Sequence, residues 1–419
     1  MGTRSILTGL AVLALTITLG LALYGSSAAL GAAQSAQAGD ESAAAREALT
    51  HKLNAALASA KIPSSQRAAE VVDLATGEVI YSRHATGSLA PASNEKLPIT
   101  LAALTLLGPQ YHIATEVLGE GEQQGSKWLG DLVLKGYGDP DLSAGDLKLL
   151  ARQVRAAGIR SVTGDLIGDE SFFDRSRTAP GWKSFFRVHE CAPISALSVD
   201  RGLDTSASPP LVAARVFQKM LSSVGVTADD SPRPGAASAE AFSIASVESP
   251  PLWKLLRFMD RESDNYSAEL LLKQIGAYNN DQGTTANGAV AVKNVLADAG
   301  VPLEGVQIAD GSGLSLRNRL TVSALSQLLV AAWGDETIRS PFVGSLSIAG
   351  RVGTLSHRLR WRPALGNVFA KTGTTNAASA LSGYVGSRYA FSILQNGSPV
   401  SATRARAAQD QFVTVLAAQ

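Results

Sequence analysis

The stretch that decides the fold reads ASNEKLPIT at residues 92–100, where a strand-like region meets an apolar helical pattern. Ser93 and Lys96 are three residues apart, so on a helix they share one face and the hydroxyl can meet the amine. A serine at a helix start lies among unpaired backbone N–H groups, and a desolvated, neutral lysine can make it a nucleophile. Taken alone, the spacing favours an N-cap serine followed by a solvated lysine, so the assignment depends on motifs elsewhere.

Two later motifs favour the catalytic interpretation. The sequence SDN lies at residues 263–265, and KTGT lies at 371–374 on a predicted strand. The chain has one S-x-x-K, one S-x-N and one K-x-G, and they occur in this order. Each alone is more typical of a cap, a turn or a strand end. Together they are the signature of penicillin-binding proteins and serine β-lactamases.

Each motif has a task in acyl transfer. Ser93 attacks a carbonyl carbon and Lys96 takes its proton. Ser263 can pass a proton to the departing amine, and Asn265 offers an amide to the substrate backbone. Lys96 is expected to be neutral, because it begins an apolar helix and a second lysine from the third motif should lie near it.

The third motif is expected to bind substrate along a strand. Lys371 supplies positive charge toward a substrate carboxylate, and Gly373 lets the substrate approach because it has no side chain. The N–H groups of Ser93 and Thr374 are candidates for an oxyanion hole. The predicted catalytic residues are Ser93, Lys96 and Ser263. The predicted substrate-binding residues are Asn265, Lys371, Thr372, Gly373 and Thr374.

Composition bounds the class of protein. The 419 residues are 45% hydrophobic and 17% charged, which predicts about two or three domains with a substantial buried core. A net charge of +1 without a basic run gives no support for nucleic-acid binding. The single cysteine, Cys191, excludes an internal disulfide. With His189 it makes only a weak zinc pattern, so both are expected to be packing residues, and neither a metal nor another cofactor is expected.

An uncharged run from Ile6 to Leu23, followed by Ala- and Ser-rich sequence, is typical of an export segment. Residues 1–39 are expected to be either a cleaved signal peptide or an uncleaved membrane anchor, since the length fits both. Either way the remainder of the chain is expected outside the cytoplasm.

Hydrophobic periodicity divides that remainder into helices and strands. Predicted helices cover residues 41–62, 97–107, 142–157, 209–224, 250–259, 267–275, 286–299, 321–333 and 404–417. Predicted strands cover residues 71–74, 79–81, 115–118, 128–135, 162–169, 368–374, 379–385 and 389–395. Residues 227–241, rich in Ala, Ser, Pro and Gly, are expected to be a loop.

The chain resembles the class C low-molecular-weight penicillin-binding proteins, the D-alanyl-D-alanine carboxypeptidase/endopeptidase group of penicillin-binding protein 4 type, serine peptidase family S13. Beyond the three motifs, the likeness rests on residues 130–140, 162–174, 192–198, 310–315 and 380–384. It implies an α/β fold of the α+β type, the transpeptidase fold shared with serine β-lactamases, in which helices flank an antiparallel sheet.

The resemblance also implies a domain inserted between the first two motifs. The expected organisation is a catalytic domain at residues 40–110 and 206–419 with a small α/β domain at 111–205. Family members usually carry a second inserted domain, but here the chain passes from Asp204 almost directly to the helix at Pro209. That second domain is therefore expected to be missing or vestigial.

The implied activity is hydrolysis of D-Ala-D-Ala bonds in peptidoglycan stem peptides through an acyl-enzyme on Ser93, with β-lactams as inhibitors. A serine β-lactamase is one alternative, although Glu95, Glu262 and Glu269 all lack the context of its deacylating base. A non-catalytic cell-wall binding protein on the same fold is the other.

Overall fold

A computed structural model describes residues 44–202, 208–228, 230–280 and 282–419. The helices are α1 (44–58), α2 (Lys96–Leu106), α3 (Ala144–Ala156), α4 (Phe186–His189), α5 (Pro209–Ser223), α6 (Leu252–Arg261), α7 (Asn265–Asn280), α8 (Thr285–Asp298), α9 (Val322–Gly334), α10 (Arg339–Ser345) and α11 (Ala402–Ala417). The strands are β1 (Arg67–Asp73), β2 (Val79–Arg83), β3 (Ala114–Gln124), β4 (Lys127–Gly136), β5 (Ser161–Val162), β6 (Leu166–Asp169), β7 (Thr227–Ala228), β8 (Arg233–Gly235), β9 (Phe242–Glu248), β10 (Ser347–Ile348), β11 (Val368–Thr374), β12 (Ala378–Val385) and β13 (Tyr389–Asn396).

The first sheet combines the two strands β1 and β2 with the four strands β10 to β13. Its six strands are antiparallel in the order β10-β11-β12-β13-β1-β2. Every residue of β12 is buried, which is typical of a strand covered on both faces. On one face Tyr384 Oη donates to the Leu329 carbonyl of α9 at 2.8 Å. On the other, Gln409 of α11 donates to Ser379 Oγ at 3.0 Å. Helices therefore flank an antiparallel sheet, as predicted.

Helix α2 is the central helix of the core. Its sequence, KLPITLAALTL, is apolar almost all round, and nine of its residues from Lys96 to Leu104 are buried. A helix without a polar face is stable only when other elements cover it on every side. Its first turn, which carries Lys96, is consequently held by the packed interior.

The second sheet consists of β3 to β9 and lies in the chain between the first two motifs. Strands β7-β5-β4-β3-β9 form its main path, while β6 pairs with β4 and β8. It has its own apolar cluster, in which Leu132 of β4, Leu150 of α3 and Phe217 of α5 are all buried. The predicted α/β segment is thus present as a sheet with two covering helices.

This sheet does not end at residue 205, where the sequence analysis placed the end of the inserted domain. Helix α5 packs in the same cluster as α3, and β9 pairs with β3 from Ala114↔Glu248 to Gly119↔Phe242. The expected loop at 227–241 contains the short strands β7 and β8. We therefore propose that the insert runs from about residue 111 to 248.

The predicted export segment at 1–39 lies outside the described residues, as do residues 41–43 of the first predicted helix. From residue 44 onward, apart from the gaps stated above, no helix is both long and apolar enough to cross a bilayer.

Candidate active site

Ser93 lies in a 3-10 turn, Ala92–Glu95, directly before α2. Residues i and i+3 eclipse one another in such a turn, and Lys96 Nζ lies 3.2 Å from Ser93 Oγ. The sequence analysis expected Ser93 to open the helix itself. The tighter turn changes the boundary but preserves the predicted contact.

Lys96 is fully buried and has two further polar partners. Its Nζ lies 2.8 Å from Asn265 Oδ1 and 2.7 Å from the carbonyl oxygen of Ser312. A neutral amine has two N–H groups and one lone pair, so these two acceptors leave the lone pair to the Ser93 hydroxyl. Burial lowers the pKa of Lys96, opposed by the carboxylates of Asp264 and nearby acids. The arrangement favours a lysine that accepts the serine proton.

Asn265 begins α7 and differs from expectation in its contacts. Its amide oxygen accepts from Lys96, while Nδ2 donates to the Glu190 carbonyl at 2.9 Å. The amide is thereby fixed on both sides and orients the lysine. The expected contact with a substrate backbone depends on the remaining Nδ2 hydrogen and stays a prediction.

Ser263 faces the other lysine. Lys371 Nζ donates to Ser263 Oγ at 2.8 Å and to the Thr372 carbonyl at 2.9 Å. Ser263 has φ +59°, a left-handed conformation that is uncommon outside glycine, in the loop between α6 and α7. Burial, together with the charge that Lys96 carries when it is protonated, lowers the pKa of Lys371 to about 7. Both lysines are buried, and burial lowers the pKa of each.

Strand β11 presents an open edge beside the serine. The short strand β10 pairs only with Phe369 and Ala370, so within the described sheet nothing pairs with the outer edge of 371–374. Thr375 N donates inward to Ala378 O at 2.8 Å. Because N–H groups alternate in direction along an antiparallel strand, Thr374 N–H points to the open edge. An extended peptide can add there as a further strand.

Gly373 is required because β11 lies close to the turn Ala92–Glu95, here called the nucleophile turn. A Cβ at this position would lie 2.9 Å from Pro91 O and 3.0 Å from Ser93 N. The predicted close approach is thus present, but it is first of all an approach of the enzyme's own backbone. It sets the distance between the serine turn and β11.

The side chains of Thr372 and Thr374 lie on the opposite face of the strand. Thr372 Oγ1 donates to Thr354 Oγ1 at 2.8 Å, and Arg406 of α11 donates to Thr374 Oγ1 at 3.1 Å. Both hydroxyl groups thus have partners within the protein, and the expected substrate contacts of Thr372 and Thr374 stay a prediction.

Asn94 was not anticipated. Its Nδ2 donates to the Lys371 carbonyl at 2.8 Å and its Oδ1 accepts from Ser382 Oγ at 2.8 Å. The side chain thus ties the nucleophile turn to β11 and β12. An asparagine directly before a helix is typical of a helix cap, so its contacts with β11 and β12 could not be predicted from the sequence.

Two buried carboxyl groups beneath Lys96 were also not assigned. Glu269 Oε1 accepts from the backbone N–H groups of Gly311 and Ser312, at 3.1 and 2.8 Å. Asp310 accepts from Gly313 N at 2.9 Å in the same turn. These contacts fix the Ser312 carbonyl that holds Lys96. A backbone acceptor has no side-chain signature, so the sequence could not have revealed it.

A groove of about 640 Å³ begins at the exposed end of β11. Its lining includes Thr374 and Thr375, the apolar side chains of Phe185 and Leu314, and the charged side chain of Lys183. A groove that combines apolar side chains with polar groups is typical of a ligand site.

The described residues hold no cluster of three or more His, Cys, Asp or Glu with the arrangement of a metal site. Cys191 is buried in an apolar cluster with Phe173 and Ile194, which confirms its expected packing role. His189 is exposed beside Phe185, so the expectation that it packs inside was wrong.

Comparison with known proteins assigns the family. The model of the D-Ala-D-Ala carboxypeptidase 3 (S13) family matches residues 49–207 and 204–419. The chain belongs to this family. It is 33% identical to the D-alanyl-D-alanine carboxypeptidase of Actinomadura sp. (strain R39), with 78% of this chain and 77% of that protein covered. It is 31% identical to carboxypeptidase DacB of Mycolicibacterium smegmatis, with 83% and 79% covered.

Solved structures agree on the fold. Penicillin-binding protein 4 (dacB) from Haemophilus influenzae matches with a TM-score of 0.77 at 23% identity, covering 88% of this chain and 98% of that one. The same protein complexed with a β-lactam matches with a TM-score of 0.73. The predicted family and penicillin-binding-protein fold are confirmed. By family, the chain is a serine-type D-Ala-D-Ala carboxypeptidase.

Proposed function

We propose that this S13 enzyme cleaves the bond between the two terminal D-alanines of peptidoglycan stem peptides through an acyl-enzyme on Ser93. The observation that carries the proposal is the buried Lys96 amine, held by Asn265 and Ser312 so that its free lone pair meets Ser93 Oγ. This is the geometry of an activated nucleophile and its base.

In acylation the Ser93 hydroxyl proton moves to Lys96 Nζ while Oγ bonds to the carbonyl carbon of the penultimate D-alanine. We infer that the N–H groups of Ser93, directly before α2, and of Thr374, at the open edge of β11, stabilise the oxyanion. The substrate backbone pairs along that edge, and its terminal carboxylate approaches Lys371.

As the C–N bond breaks, the departing nitrogen takes the Ser263 hydroxyl proton and Ser263 takes one from Lys371. The hydrogen bond of 2.8 Å between Lys371 Nζ and Ser263 Oγ supplies this route. Newly protonated Lys96 favours the transfer, because like charge lowers the pKa of Lys371. One lysine of the pair is neutral again and can accept a proton from the water that hydrolyses the ester.

The same site accommodates a cross-linked stem peptide, since both substrates present a D-Ala-D-amino-acid bond, so DD-endopeptidase activity belongs to the proposal. β-Lactams would acylate Ser93 and remain bound. The enzyme would work outside the cytoplasm, where peptidoglycan lies, and residues 1–39 would serve as its signal peptide or membrane anchor.

The experiment is intact-protein mass spectrometry of the purified full chain after exposure to penicillin G, beside Ser93→Ala. A stable penicilloyl adduct on the parent and none on the variant is the expected result. D-Alanine release from a pentapeptide should fall on the order of 10⁴- to 10⁶-fold in kcat in the variant.

Other outcomes would favour the two alternatives. Hydrolysed penicillin without an adduct would indicate a β-lactamase, whose deacylation is fast. Intact penicillin without an adduct would indicate a binding protein that keeps the fold and not the chemistry.

A further inference from the structure

The chain has a long segment without acidic residues. Between Thr337 and Gln409 there is no Asp or Glu, while nine Arg and Lys residues occur there. The whole chain has a net charge of only +1, so the remainder is net acidic. Such a charge asymmetry produces a local positive potential that the overall balance conceals.

Three arginines of this segment and one tryptophan form an exposed group, here called the arginine surface. Its members are Arg351, Arg360, Trp361 and Arg362, all of them exposed. Trp361 is 82% exposed, the largest value among the exposed large apolar side chains of the described residues. Large aromatic rings at such exposure are typical of contact surfaces.

The loop that carries Trp361 is held in place on both sides. Arg358 Nη2 donates to Asp410 Oδ1 at 2.7 Å and to Gln409 Oε1 at 3.0 Å, which ties the loop to α11. A Cβ on Gly366 would lie 2.8 Å from the Arg351 guanidinium, so the far end of the loop returns to Arg351. The arginine surface is therefore presented by a packed loop.

The loop that carries the arginine surface adjoins strand β11 of the candidate active site. Thr354 begins the loop segment and accepts a hydrogen bond from Thr372 of the KTG strand. Helix α11, which anchors the loop, also carries Arg406 to Thr374 at the end of that strand. A polymer whose peptide occupies the open edge of β11 thus has the arginine surface beside it.

We propose that the arginine surface binds the polymeric part of the substrate, the anionic glycopeptide strand to which the scissile peptide is attached. Stem peptides carry free carboxylates that arginines bind, and the flat ring of Trp361 offers an apolar face to a sugar. The inference deepens the function proposed above and rests on it. It predicts an enzyme that distinguishes polymeric peptidoglycan from a free peptide.

An anionic membrane is the competing partner for such a surface. The position of the loop beside β11 favours the polymer, since the substrate's own peptide already ends there. Binding to a bilayer would not require the arginine surface to lie beside the β11 edge.

The test compares the full-length Arg360→Gln/Arg362→Gln and Trp361→Ala variants with matched controls. Lys148→Gln/Arg152→Gln removes two exposed charges from α3, and Tyr278→Ala removes an exposed ring from α7. D-Alanine release is measured on intact sacculi and on a soluble pentapeptide. Cosedimentation with sacculi and with anionic phosphatidylglycerol vesicles is measured at low and high salt.

For the surface variants we expect kcat/KM on sacculi to fall about fivefold or more, with the loss shrinking at high salt. Rates on the pentapeptide should stay within about twofold, and the controls should match the parent on both substrates. Equal loss on sacculi in controls and surface variants would overturn the proposal. Vesicle binding that depends on these residues, without sacculus binding, would overturn it in favour of a membrane.

A failure of the proposed function gives a different pattern. The parent would then release no D-alanine from either substrate. In that case sacculus binding that is lost in the surface variants would still support the arginine surface, and binding that is unchanged would overturn it.

Discussion

Glu269 is a buried acid that fixes the turn whose Ser312 carbonyl holds Lys96, the proposed general base. Its Oε1 holds the backbone N–H groups of Gly311 and Ser312, whereas Oε2 has no partner among the described residues. Burial, with the nearby Asp310 carboxylate, raises its pKa from 4.5 to about 8. At neutral pH it is therefore mostly protonated, a state that removes one of the negative charges near Lys96.

Glu269→Gln tests this assignment through stability. The native pKa lies above that of the unfolded chain, so the group's stabilisation is full below about pH 4.5 and is lost as pH rises toward 8. Glutamine accepts the same two N–H bonds and does not ionise. We expect the Tm of the parent to fall relative to the variant by roughly 2–4 °C between pH 5 and 8.5 in calorimetry.

Glu269→Ala is the matched control. It removes both hydrogen bonds to the turn, so its Tm and its rate of acylation by penicillin G should be lower at every pH, while Glu269→Gln keeps most of the acylation rate. Parallel Tm curves for the parent and Glu269→Gln would refute the pKa assignment.

At this scale the sequence predicted contacts made by side chains and missed those made through backbone. Ser93 and Lys96 meet as the motif spacing indicated, whereas the contact between Ser263 and Lys371 was not predicted. The Ser312 carbonyl could not be foreseen, because any residue type supplies one. The left-handed conformation of Ser263 was equally hidden, since nothing in its neighbours requires it.

Among the elements, the turn at residues 310–315 lies in close contact with the backbone directly before Ser93. Gly313 has φ +86°, and a Cβ there would lie 2.0 Å from the carbonyl oxygen of Ala92. Ala92 is itself left-handed, with φ +48°. A left-handed glycine therefore lies against a left-handed alanine directly before Ser93, and only glycine fits at position 313.

Gly313→Ala should destabilise the enzyme by about 2 kcal/mol or more, through strain and backbone displacement, and slow acylation at least about tenfold. Gly344→Ala in α10 is the control, because a Cβ there meets nothing within 4 Å. Urea denaturation and stopped-flow acylation would measure the two effects. If Gly313→Ala and Gly344→Ala have similar free energies of unfolding and acylation rates, the turn accommodates the added methyl group without a measurable loss of stability.

Elements were predictable where apolar periodicity was strong. Strands β11 to β13 were predicted almost to the residue, because burial favours small and apolar residues at most of their positions. Strand β9, FSIASVE, was missed because its small and polar residues face solvent at many positions. Helix α10 was missed because Pro341 and Gly344 disfavour a helix that tertiary packing nonetheless forms.

Across the whole molecule, the two sheets have separate apolar clusters. Leu132, Leu150 and Phe217 belong to the cluster of the second sheet, while α2 and the first sheet share another that includes Leu101. Each cluster is large enough to unfold as a cooperative unit, so a single two-state transition is not expected.

Calorimetry should accordingly resolve two transitions. Acylation of Ser93 links the ligand to the nucleophile turn, so penicillin G should raise the Tm of the transition that belongs to the first sheet and leave the other in place. Leu150→Ala should lower only the transition of the second sheet, by an amount that reflects a loss of about 2–5 kcal/mol. Its acylation rate should match that of the parent, because Leu150 reaches no residue of the site. If penicillin G and Leu150→Ala instead shift the Tm of one common transition, the inserted sheet folds as part of the catalytic unit. The boundary proposed near residue 248 would then not divide two independently unfolding units.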